Sequence, residues 1–223
     1  FTGAWYNCPT IIDFPCVDSS AVTNFSEAWS QCSSLTSFPN LNTSAGENFY
    51  YSWAFNYSLV EFPNLNTSKG EGFGGTWSYT GLTSFPALDF SSATNFGYWP
   101  DSYGAWQGCF YLSSFPPINT SKVETFVSTW YACSFTSFPF IDTSSGLTFN
   151  GTWQNCSNLE VFPEGMFDNC LATNFADAWY GCALDQASVD NILVSLDTAG
   201  QSNGTVSLNG GFSSAPGVAG LAA

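Results

Sequence analysis

Six of the eight cysteines in this 223-residue chain stand three places after a tryptophan: Cys8, Cys32, Cys109, Cys133, Cys156 and Cys182. A recurring W-x-x-C invites metal ligation, disulfide cross-linking or thiol redox work. Zinc needs ligands converging on one point, usually as C-x-x-C pairs joined by a second pair or by histidines. One sulfur per copy and no histidine do not supply that set. If the W-x-x-C stretches are helical, neighbouring copies pack about 8–10 Å apart. Bridged cysteines need Cα atoms within about 7 Å. The expectation is therefore reduced thiols packed as small apolar groups. Asn56 and Thr80 hold the same slot in two copies, which suits a place near the end of a turn where a small polar group is satisfied. Cys16 and Cys170 lie outside the register, and for them a mutual bridge and free thiols both stay open.

Acid–base chemistry without histidine would fall to carboxylate pairs, as in glycosidases. Seventeen carboxylates are present, scattered along the chain, and no pair is marked by its spacing. Neither a G-x-S-x-G elbow nor a phosphate-binding glycine loop occurs. A non-enzymatic protein is expected. Against the carboxylates stand only Lys69 and Lys122, with no arginine, for a formal charge of −15. That surface repels a polyphosphate backbone, so no nucleic-acid partner is expected. Scattered charge argues for a solvated acidic surface rather than a disordered tail. No stretch has the apolar length of a membrane-spanning helix, and membrane insertion is not expected.

The elements that must position these residues are repeats. Phe-Pro pairs at Phe14, Phe38, Phe62, Phe85, Phe115, Phe138 and Phe162 step by 24, 24, 23, 30, 23 and 24 residues. Tryptophan keeps the same beat from Trp5 to Trp179, with a phenylalanine four places before nearly every copy. The unit is roughly F-x-x-x-W-x-x-C-x-x-L-x-x-F-P-x-L-[DN]-T-S. In one copy Phe25, Trp29, Cys32 and Leu35 fall at i, i+4, i+7 and i+10, which predicts one apolar stripe on a helix or short helical turn, with Phe38 completing the core. The following "SLTSF" is β-prone, and its proline, lacking an N–H, ends each strand early. One unit cannot bury its aromatic side alone, so the units must stack.

Segments such as "AWSQCSSLTSFP" and "AWQGCFYLSSFP" resemble the A-F-x-x-C-x-x-L-x-x-I/F-x-P pattern of BspA-type leucine-rich repeats, with Trp in place of the usual Phe. The resemblance covers about residues 1–182. It implies an α/β solenoid: a right-handed coil with one short parallel strand and one helical turn or short helix per rung. It also implies attachment or recognition outside the cell. The aromatic richness and the proline directly after the strand Phe depart from that family's pattern. Residues 183–223 read as a small α/β capping segment that continues beyond the given chain. In it Asp185 or Ser188 caps a helix burying Val189, Ile192, Leu193 and Leu196, followed by a short strand and the start of a second helix.

Two rows could bind something. Asp18, Asn42, Asn66, Asp89, Asn119 and Asp142 each precede a serine by two places. Oxygen ligands on turns suit calcium, whereas Asx side chains also close turns on their own backbone. No two aspartates are neighbours in this row, which favours turn closure and leaves isolated Ca²⁺ as the one cofactor considered. The N-T-S turns also create sequons, as does Asn203-Gly204-Thr205. The strand face presents Thr36, Ser37, Thr83, Ser84, Ser113, Ser114, Thr136 and Ser137, a hydroxyl-rich surface. One insertion, "GYWPDSYGA" between Phe96 and Trp106, brings Tyr98, Trp99, Asp101 and Tyr103, which the repeat does not need. Such rings suit stacking on sugars or gripping a protein; they also suit folding back over the array. The expected function is adhesion: binding a surface glycan or protein receptor from a cell surface, an appendage or a virion tail fibre. The alternative is a structural protein that self-associates into a larger fibre.

Overall fold

The computed structural model describes residues 1–98, 103–201 and 205–223. Its elements are β1 (Gly97–Tyr98), β2 (Tyr103–Gly104), β3 (Asn174–Phe175), α1 (Gln186–Thr198), β4 (Thr205–Val206) and α2 (Val218–Ala222). Among the described residues no helix falls within the repeats, so the helical turn or short helix expected for each is corrected. The F-x-x-x-W-x-x-C stretch instead makes successive tight turns. Ala28 N–H donates to the Phe25 carbonyl at 3.0 Å, and in a later copy Cys133 N–H donates to the Trp130 carbonyl at 3.3 Å. The third residue of each such turn has positive φ, +58° at Glu27 and +62° at Gln31, the mark of a type II turn. Spacing of four between Phe and Trp thus comes from four-residue turns and not from a 3.6-residue helix.

The left-handed residues turn alternate N–H groups toward the next repeat. Glu27, Trp29 and Gln31 donate to the carbonyls of Tyr50, Ser52 and Ala54 at 2.8, 2.9 and 2.8 Å. The same pairing, each tryptophan donating to the residue before the next tryptophan, recurs when Trp130 donates to Thr152, and Ala132 donates to Gln154 in turn. Parallel bridges run unbroken from Asn24 through Asn48, Gly72, Asn95 and Thr125 to Thr148, and β3 pairs with β4 in the same sense. At the Phe-Pro segments bridges form only between Asp13 and Ser37 and between Ser137 and Val161. Proline, with no N–H, cannot extend that ladder.

Inside lie three columns of rings. The indoles of Trp5, Trp29, Trp53, Trp77, Trp106, Trp130, Trp153 and Trp179 stack face to face with centroids 5.2–6.0 Å apart and planes within 11°. The Phe-Pro phenylalanines stack at 5.7–6.3 Å. Where it stacks in parallel, the Phe25-type column is tighter, at 4.7–5.3 Å, so neighbouring repeats sit closer on that side. Each indole from Trp29 to Trp153 meets the following Phe-Pro ring edge to face at 4.7–5.0 Å, Trp29 against Phe38 among them. Phe25, Trp29, Cys32 and Leu35 are fully buried and Phe38 nearly so.

Seven of these indole N–H groups, from Trp29 to Trp179, are buried with no hydrogen-bond partner. A buried orphan donor costs about 1–3 kcal/mol. Burying the indole, about 150–250 Å² at ~25 cal/mol/Å², contributes about 4–6 kcal/mol. Burial wins, and the column tolerates its orphans.

The insertion leaves the Trp column intact: Trp77 and Trp106 stack at 5.2 Å. β1 and β2 pair antiparallel at the base of the insertion, Gly97 opposite Gly104. A Cβ at Gly104 would come within 2.0 Å of the Ser128 carbonyl oxygen, so only glycine fits there. Phe96 meets Phe73 and Phe126 edge-on, which interrupts the parallel stacking of that column alone. At the far end the Asp185 side chain caps α1 by accepting the Ser188 N–H at 2.7 Å. Ser188 and Ser195 of α1 then accept N–H groups of Phe162 and Phe167, each at 2.8 Å, covering the last Phe-Pro segment. No helix among the described residues is long and apolar enough to cross a membrane.

Trp77→Ala, deep in the column, is expected to lower unfolding free energy by about 3–5 kcal/mol. Trp77→Phe is expected to cost less than half as much, because it keeps a ring and removes an unpaired donor. Urea denaturation of the two variants checks the order; equal losses would contradict it.

Candidate functional site

The eight hydroxyl residues of the predicted strand face, from Thr36 and Ser37 to Thr136 and Ser137, are all exposed. Two of them donate to carbonyls of the preceding repeat, Thr36 to Ile12 and Thr83 to Val60, both at 3.4 Å. Ser37 donates to Asp13 Oδ1 at 3.0 Å. The row is broken by the exposed apolar residues Ile12, Val60 and Val161.

In the insertion, Trp99, Asp101 and the side chain of Tyr98 lie outside what the structure describes. Tyr103 folds back over the array. Its ring stands edge-on to Tyr51, Phe55 and Tyr79 at 5.7, 6.0 and 6.1 Å, while Phe55 and Tyr79 lie parallel at 5.4 Å. All four rings are half-buried. Beside them two depressions of about 240 and 350 Å³ adjoin, sharing Gln31 and Phe55. Tyr6, Glu27, Ser30, Tyr51 and Tyr103 complete the first, and Asn7, Pro9, Ser33 and Tyr57 the second. Gln31 is held in place by donating its Nε2 to the Tyr6 hydroxyl at 2.8 Å. The combined groove falls within the size range of small-ligand sites.

Sequence reasoning found Tyr103 and missed its partners. Asn7, Glu27, Gln31, Tyr51, Phe55 and Tyr79 occupy the left-handed turn positions, with φ between +54° and +62°. On a helix these places would be scattered solvent-facing residues. On stacked turns they line up on one face. Left-handed backbone costs a residue bearing a Cβ about 1–2 kcal/mol, and large side chains there are uncommon.

The cysteine row is packing. The Sγ of Cys32, Cys109, Cys133, Cys156 and Cys182 each lies 3.0–3.3 Å from the carbonyl of the preceding repeat's tryptophan. Asn56 makes the equivalent bond with its Nδ2, to Trp29 at 3.1 Å, and Thr80 donates to its own Trp77 at 2.9 Å. All eight thiols are unpaired. The spacing behind the original expectation is corrected, since hydrogen-bonded backbones lie about 5 Å apart, within disulfide reach. What holds the sulfurs is the carbonyl each one faces. Burial pushes the Cys109 thiol up to about 11 and Cys182 up to about 12, and drives Cys133 and Cys156 well above the ordinary range.

The Asx row closes turns. Oδ1 of Asn42, Asn66 and Asn119 accepts both the N–H and the hydroxyl of the serine two places on, at 2.7–3.2 Å. Asp18 does the same, and these bonds, the Ser20 hydroxyl first, hold its carboxyl below the usual range. The intervening threonines reach the next repeat: Thr43, Thr67 and Thr120 donate to Asn66, Asp89 and Asp142 carbonyls at 2.6–2.7 Å. Among the described residues no three of Cys, Asp and Glu come together as a metal-ligating group.

A thiol reagent at pH 8 is expected to modify the exposed Cys16 first and the half-buried Cys8 more slowly. The six buried thiols should react only at the rate of unfolding, and prompt labelling of all eight would contradict their placement. Because folding raises these thiol pKa values from the ordinary 9.0, their contribution is fully present below pH 9. It is lost as pH climbs toward 11 and 12, where the unfolded chain has already released its thiol protons.

Comparisons with protein-family models, with curated proteins and with solved structures return no match to this chain, so its function must be argued from its own residues.

Proposed function

We propose that this chain is a leucine-rich-repeat-like solenoid of about eight repeats over residues 1–182, closed by the segment 183–223. Its resemblance is to the BspA type, with tight turns where the apolar spacing of Phe25, Trp29, Cys32 and Leu35 predicts a helix or short helical turn. It works outside the cell, on a cell surface, an appendage or a virion, as a non-enzymatic adhesion protein recognising a glycan or a protein receptor. The observation that carries this is the half-buried ring cluster of Tyr51, Phe55, Tyr79 and Tyr103 beside a groove, set on a face the core does not use. A frame with long-range hydrogen bonds in every repeat holds such a surface rigid, which lowers the entropy lost on binding. The acidic surface supports the exclusion of nucleic acid as a partner.

The alternative is a structural repeat protein that self-associates into a larger fibre.

Labelled protein applied to a glycan array and to intact bacterial cells is expected to give saturable binding while remaining monomeric in sedimentation. Absence of binding together with filaments under the microscope would transfer the assignment to the structural function.

A further inference from the structure

The groove over the first four repeats, we infer, is a subsite for the uncharged pyranose rings of a neutral oligosaccharide; this rests on the recognition function proposed above. The molecule supplies its own comparison. Repeats two to four carry Glu27, Gln31, Tyr51, Phe55 and Tyr79 at left-handed turn positions, together with Gly75. From repeat five onward the same positions carry Gly108, Ser128, Ala132, Gly151, Asn155, Asp177 and Gly181, none of them aromatic. The backbone is the same in both halves and is served without aromatic side chains in the second. Large side chains at these positions are therefore not required by the fold, and every one of them faces the patch around Phe55. Positive φ runs along the whole array, at Ser128, Ala132, Asn155 and Asp177 as well, so what sets the patch apart is the aromatic side chains placed on it.

The chemistry of the patch selects the ligand. Half-buried phenol and phenyl faces offer flat apolar surfaces to the C–H face of a sugar ring. Gln31, Asn7 and Glu27 supply amide and carboxylate groups that exchange hydrogen bonds with sugar hydroxyls, the first with its amide plane fixed by Tyr6. Neither Lys nor Arg lines the groove, and the chain carries −15, so a sulfated, phosphorylated or sialylated sugar is repelled.

The test is calorimetric titration of the full chain with gluco-, manno-, galacto- and xylo-oligosaccharides of three to six units, alongside their sulfated forms. The variants are Phe55→Gly, which suits the positive φ at that position, and Gln31→Ala. The control is Ser128→Gly, the same backbone exchange away from the groove; circular dichroism and melting temperature report folding. At least one neutral series is expected to bind, with sulfated forms at least tenfold weaker. Phe55→Gly and Gln31→Ala should each weaken binding at least tenfold, and Ser128→Gly less than twofold. Neutral sugars bound equally by wild type and Phe55→Gly would overturn the subsite and leave the recognition function standing. Loss on Phe55→Gly of a protein receptor only, without any sugar signal, would also overturn it, assigning the groove to a polypeptide. No binding to sugars, cells or proteins would bring down both proposals.

Discussion

Face-to-face stacking of one indole per repeat is the constraint on which the rest of this molecule depends. A tryptophan every 23 to 29 residues must land 5.2–6.0 Å from the last, nearly parallel to it. Only an in-register, hydrogen-bonded backbone holds that spacing. Register is therefore set by the rings, and beyond the insertion after Phe96, whose base pairs Gly97 with Gly104, Trp106 returns to its place. The two phenylalanine columns flank the indoles, and the thiols of Cys32, Cys109, Cys133, Cys156 and Cys182 each fasten to the carbonyl of the tryptophan in the repeat before.

That interior leaves little freedom inside and much outside. Ser52, Thr76 and Thr152 donate to two phenylalanine carbonyls, one in their own repeat and one in the repeat before, tying neighbours together within the core. With the chain so tied, the outward positions of the turns can vary without changing the coil. One half of the array uses them for large polar and aromatic groups, the other for glycine, alanine, serine, asparagine and aspartate. The same frame thus carries a chemically rich face and a plain one.

The interior was legible in the sequence because packing depends on residue type and spacing, both of which repeat. Phe25, Trp29, Cys32, Leu35 and Phe38 are core, and Asp185 caps α1. The local backbone was not legible. A four-residue step suits a helix and a pair of tight turns alike, and turns with positive φ are usually recognised by Gly or Asn at the third place. Here Glu27, Gln31, Tyr51, Phe55, Ser128 and Ala132 occupy that place instead. The groove stayed hidden for the same reason. Its residues belong to different repeats and share a face only when alternate N–H groups point to the next repeat. Tyr103 alone was visible, because the insertion that carries it breaks the period.

The most direct test of the ring column is hydrogen–deuterium exchange of the nine indole N–H groups followed by NMR. Seven of them, from Trp29 to Trp179, should exchange only through opening of the array, although none has a hydrogen-bond acceptor to protect it. Exchange of most indoles at the rate of free tryptophan, in a chain that is otherwise folded, would contradict the stacked interior.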